Sequence, residues 1–251
     1  MISLFLAVRY ALLTLALIIY IPSSASAENG SGKRDFVTGL LEDSDFTVIF
    51  RAMSQYFPED ARNLEVSLRG TADQLGVDLS DIIPIDHVTR MSQDIAVSMG
   101  QFYASHRAHV YDAPNIALMN VLQAHIQPIK HMKSNGNDCN NYVLYGASSS
   151  MIQTEIPYSM IEAAAVTKFE AMYQGSMAST SRAQLTEYSD ALLNQLMRGM
   201  DQEEIDLLSS PQISNPKTCS ANIKFLENIW RAEGYDAELF RAETVLILLS
   251  E

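Results

Sequence analysis

DHVTRMSQDIAVSMGQFYASHRAHVYDAPNIALMNVLQAHIQPIKHMK, residues 86–133, decides the fold class. In its first half Val88, Met91, Ile95, Met99, Phe102, His106, His109 and Ala113 recur at steps of three and four. That interval lines one face of an α-helix. Leu118, Leu122, His125, Ile129 and Met132 continue the pattern in the second half. The spacing predicts one helix from Asp86 to about Tyr111 and another from Pro114 to about Lys133. A half-buried strand would alternate with a period of two, and no run in the chain does so.

The same period extends in both directions. Asp45 is placed to cap a helix carrying Phe46, Ile49, Phe50 and Met53 that ends near Phe57-Pro58, and Ala61 to Leu75 follows, stopped by Gly76. Helices are also predicted for Tyr158 to about Tyr173 and, after a Gly175-Ser-Met-Ala-Ser-Thr linker, for Ser181 to Met200. Asp201-Gln-Glu-Glu204 has the form of a capping box opening a short helix to Leu208. Asn215-Pro216 starts the helix through Trp230, which Gly234 ends, and Asp236 caps the last one, through Leu239, Phe240, Val245 and Leu249. Residues 134–157 form a polar stretch, long for a loop inside a domain. The expectation is an all-α chain of eight or nine helices, one multi-helix domain over 35–251, with room for two lobes divided near 134–157.

Residues 1–27 read as a cleaved secretory signal. Arg9 supplies positive charge, Tyr10 to Ile21 is apolar except for Thr14, Pro22 breaks the run, and Ser23-Ser24-Ala25-Ser26-Ala27 offers a small-residue cleavage site. The competing reading is an uncleaved anchor, since Ile2 to Ile21 approaches spanning length apart from Arg9. Cleavage leaves Glu28 to Glu251 with a flexible leader at 28–34 and no stable membrane insertion; losing Arg9 takes the formal charge from −13 to −14. The two cysteines, Cys139 and Cys219, make an even pair in an exported chain and are expected to form one disulfide. Closing that loop contributes about 4–5 kcal/mol in the chain-entropy model. Asn29-Gly30-Ser31 is a glycosylation sequon that matters only in a eukaryotic secretory route; a Gram-negative periplasm suits the chain equally well.

Lys+Arg 17 against Asp+Glu 30 argues against nucleic acid or anionic lipid as the main partner, because both need a basic face. Of the candidate chemistries the best is a histidine cluster. His106, His109 and His125 all fall on helix faces that otherwise read as buried, and a tight turn at Asp112-Ala-Pro114-Asn115 would bring them together. Three imidazoles with an open position are the ligand set of a catalytic zinc site. His87 and His131 lie off that cluster and read as surface residues.

Other motifs fail on inspection. Gly146-Ala-Ser148-Ser-Ser150 lacks the second glycine of a nucleophile elbow, and Ser214-Asn-Pro-Lys217 is a helix start. Glu203, Glu204 and Asp206 read as a solvated face. No Glu-x-x-His, Cys-x-x-Cys-His, Gly-x-Gly-x-x-Gly or P-loop occurs, so no cofactor is implied outside the zinc alternative. Met53, Met160, Met172, Met197 and Met200 read as core filler. Tyr142 and Tyr145, in a polar stretch pinned by Cys139, read as a recognition edge. The sequence therefore predicts an exported, periplasmic or secreted helical protein binding a protein or envelope component, non-enzymatic on this reading. Its alternative is a metal-binding protein or metal-dependent hydrolase built on the three histidines.

Overall fold

Residues 86–133 do fold as two helices, joined by a short tighter one. The computed structural model describes residues 46–76, 85–133, 136–145, 155–179, 181–183 and 187–249. The signal, the leader and the capping position at Asp45 lie outside the described residues. Among the described residues the chain is all-α, with no strand. Its helices are α1 Phe46–Tyr56, α2 Pro58–Leu75, α3 Ile85–His106, α4 Asn115–Met132, α5 Gly136–Tyr145, α6 Tyr158–Ser176, α7 Asp190–Leu196, α8 Gln202–Ser209, α9 Lys217–Arg231 and α10 Tyr235–Leu248. A 3-10 helix, Arg107–Asp112, lies between α3 and α4. No described helix is long and apolar enough to cross a membrane.

The described residues separate into two units, one ending at Ser105 and one beginning at His106. In the first, α1 and α2 meet at Phe57, whose ring packs edge-on against Phe102 of α3 with centroids 5.1 Å apart. Pro58 starts α2 with φ already near helical, and Glu59 and Asp60 place negative charge at the positive end of its dipole. Gly76 ends it at φ 63°, a left-handed conformation that glycine adopts without a Cβ clash. Met53, Leu64, Leu68, Met91, Ile95, Met99 and Phe102 form the buried interior. Thr71 of α2 donates a hydrogen bond to the Asp94 carboxylate of α3 at 2.6 Å.

In the second unit α4 is the spine. It packs against α5, α6, α9 and α10, and buries Leu118, Val121, Leu122, Ile126, Ile129 and Met132. It runs through Pro128 without ending, although proline has no N–H to return to the previous turn. Around it, α6 and α10 pack on the 3-10 helix, α5 on α9, and α7 and α8 on α9.

Four local expectations are corrected. The helix predicted to Tyr111 tightens to 3-10 geometry after His106, and Ala113 and Pro114 are extended, because a residue before proline is pushed out of the α region. The helix predicted over 181–200 is confined to Asp190–Leu196. Upstream, the Asp112 carboxylate instead accepts bonds from the Arg182 N–H at 2.6 Å and the Ser181 hydroxyl at 2.9 Å, holding 181–183 against the 3-10 helix. The polar stretch 134–157 does not divide the chain. Its described residues belong to the second unit, where α5 turns Cys139 and Asn140 inward. Gly175 is not a linker residue but a buried part of α6.

That glycine is required by its neighbours. A Cβ at Gly175 would lie 1.8 Å from the His109 carbonyl oxygen and 3.1 Å from the Ala113 nitrogen, so α6 reaches the 3-10 backbone only without a side chain there. Gly100 of α3 has nothing within 4 Å of its Cβ position. Gly175→Ala is therefore expected to lower the unfolding free energy measured by urea titration by about 1–3 kcal/mol. Gly100→Ala is expected to raise it by roughly 0.5–1 kcal/mol, as alanine is the better helix former.

Candidate functional site

His106 and His109 come together. His106 is the last residue of α3 and His109 the third of the 3-10 helix. In 3-10 geometry side chains three apart nearly eclipse. Their ring centroids stand 6.0 Å apart with planes inclined at 46°. Both rings are half-buried, as is that of His125 on α4. Among the described residues no group of three or more His, Cys, Asp or Glu side chains is placed to hold a metal ion. His131 is exposed, as its sequence position suggests. His87 is half-buried, with its Nδ1 buried and lacking a hydrogen-bond partner, so it is not the surface residue expected.

The backbone beneath the pair is fixed on two sides. The His109 carbonyl lies against Gly175, and Asp112, three residues on, is bound to Ser181 and Arg182. Arg182 returns a bond from Nη1 to the Tyr111 carbonyl, and the Tyr111 hydroxyl donates to the Ala183 carbonyl. Gly175 and Asp112 read from the sequence only as linker and turn residues, and Arg182 has no period or motif to mark it.

Cys139 and Cys219 form the expected disulfide, with Cα atoms 5.8 Å apart across a separation of 80 residues. Both cysteines are buried. Beside the bridge, Asn140 donates from Nδ2 to the Ile213 and Asn215 carbonyls and accepts the Cys219 N–H on Oδ1 at 2.9 Å. One buried amide thus closes the turn that leads into α9. Tyr142, on the same helix, is half-buried, not projecting from a loop; the Tyr145 side chain lies outside the described residues, as do Gly146–Ser150.

Polar side chains also hold the helix ends. Arg241, 2% exposed, donates from Nε to the Asn115 side chain at 2.7 Å and from Nη1 to the Ile229 and Ala232 carbonyls at 3.0 and 2.7 Å. Burial lowers its pKa from the usual guanidinium value, while the charge of Glu238 opposes that shift. Sequence could have shown it, since Arg241 shares the face of Ala237, Val245 and Leu248. Asn228 donates to the Leu196 and Arg198 carbonyls at the end of α7.

The Asp201–Glu204 capping box forms as expected, but Glu204 is buried and not part of a solvated face. Lys224 reaches both of its carboxylate oxygens at 2.6 Å and also donates to the Gly199 carbonyl. That contact lowers the Glu204 pKa from the ordinary carboxylate value against the opposing effect of burial. The Tyr188 hydroxyl donates to Glu243, and burial first, then the nearby Glu243 charge, pushes its pKa up to about 12.

Comparison with protein families, with curated proteins and with solved structures gives no match.

Arg241→Met leaves the Ile229 and Ala232 carbonyls and Asn115 without their donor. The expected loss in a denaturant titration is about 3 kcal/mol, against less than about 0.5 kcal/mol for the exposed Arg231→Met. Glu204 gives a pH dependence of definite sign. Because its folded pKa is lowered, its stabilisation is present above the ordinary carboxylate range and is lost as pH falls through the folded value. Glu204→Gln is expected to lower stability at neutral pH and to flatten the decline from about pH 5 downward, read from thermal midpoints across that range.

Proposed function

We propose that this is an exported helical protein that recognises a protein partner in the cell envelope. The observation that carries the recognition part is on α6. Tyr173 and Met177 are 39% and 70% exposed and lie one helical turn apart, so they share a face. That face is roughly half a turn from Gly175, the residue that seats the helix on the 3-10 backbone. Tyrosine and methionine are over-represented at protein interfaces, where a large apolar body and an adaptable thioether suit a partner surface.

Export is supported by the signal-like residues 1–27 and by the buried Cys139–Cys219 bridge, since such bonds persist in oxidising compartments. The acidic balance of the chain suits a partner of neutral or basic surface. The half-buried position of Tyr142 moves the recognition surface from α5 to α6.

The reading is tested in cells of the source organism. A photo-crosslinking amino acid at position 173 is expected to give one discrete adduct in the envelope fraction. Met177→Asp is expected to remove the adduct without changing the thermal midpoint, and the recovered protein to begin at Glu28. A full-length chain in the cytoplasm would overturn export. An adduct indifferent to Met177→Asp would overturn the α6 surface.

A further inference from the structure

We infer that His106 and His109 form a two-imidazole binding site for a divalent first-row transition ion, of the Cu2+, Ni2+ and Zn2+ class. Imidazole nitrogen is the ligand these ions share, and hard cations such as Mg2+ and Ca2+ select oxygen instead. An imidazole nitrogen coordinates at about 2.0–2.1 Å, which sets its ring centre roughly 3.2 Å from the ion. One ion therefore bridges rings with centres up to about 6.4 Å apart. The observed separation is 6.0 Å, and side-chain rotation has to bring it to about 5.2 Å for a tetrahedral angle at the ion.

The backbone that carries the pair is held from below. The 3-10 helix puts residues 106 and 109 on one edge, and the approach of Gly175 fixes the backbone that carries His109. Asp112, bound to Ser181 and Arg182, fixes the same helix at its other end. Backbone restraint of this kind leaves mainly side-chain rotation to be lost on coordination. His106 Nδ1 is buried, so Nε2 is the His106 nitrogen this site uses, and water completes the ion's coordination sphere over the half-buried rings. The site differs from the three-histidine arrangement that the sequence suggests: His125 is not a ligand in it.

The test uses the untagged mature chain, titrated calorimetrically with Cu2+, Ni2+, Zn2+ and Mg2+ chlorides in a non-chelating buffer. The expected result is one ion per chain for the transition metals, strongest for Cu2+, with no heat from Mg2+. His106→Ala and His109→Ala are each expected to weaken binding by about tenfold or more, whereas His125→Ala and His131→Ala leave it unchanged. Two further readouts serve if an alanine variant unfolds. Binding by the unmodified protein should vanish as pH falls through the imidazole range, and the Cu2+ paramagnetic resonance spectrum should show nitrogen coupling. Absence of binding, or binding indifferent to His106 and His109, overturns the proposal. Binding that also needs His125 overturns it in favour of the three-ligand site.

Discussion

Arg241 is the group around which residues 106–249 are organised. A guanidinium is among the costliest side chains to bury, and the partners of this one among the described residues are two carbonyls and an amide, not a carboxylate. It is tolerated because the carbonyls it meets belong to the terminal turn of α9, the negative end of that helix dipole. The third acceptor, Asn115, is the first residue of α4. One side chain of α10 therefore fixes where α9 stops and where α4 starts. The same device recurs at smaller scale. Asn228 serves the end of α7, Asn140 the turn before α9, and Lys224 both a turn carbonyl and a capping carboxylate. Short helices have many ends for their length, and each end leaves backbone groups that must find partners. In this unit the partners are side chains borrowed from neighbouring helices.

What the sequence made legible follows from where the information resides. The stripes Met91–Ile95–Met99–Phe102 and Leu118–Leu122–Ile129–Met132 are buried as their period requires, because amphipathicity is local to one helix. The caps at Gly76 and Asp201 were legible for the same reason: each is a contact across a few residues. The disulfide followed from parity and compartment. By contrast, α5 carries polar residues whose helical state depends on Cys139 and Asn140 meeting a segment about 80 positions away. The absence of helix at 181–183 likewise depends on Asp112, far upstream.

The candidate site shows the same split. That His106 and His109 share a face was readable from their spacing of three. What supports them, Gly175 pressed on the His109 carbonyl, has no local signature, since an isolated glycine before Ser-Met-Ala-Ser-Thr reads as a flexible joint. Glu204 was misread for a related reason. A carboxylate in a helix's first turn ordinarily faces water, and only the arrival of Lys224 from α9 lets it be buried.

The burial of the Cys139–Cys219 bridge has a consequence for the order of events in biogenesis. The two sulfurs belong to helices separated by 80 residues, and Asn140 engages the turn before α9 only when both are docked. On the proposed export route, a chain crossing a membrane from its amino terminus delivers Cys139 well before Cys219. For that interval the first thiol has no correct mate, and an oxidase meeting it has only foreign partners to offer. Correct bond formation is then a late step that follows docking of α5 against α9. In such a scheme the covalent link records that assembly succeeded and does not guide it.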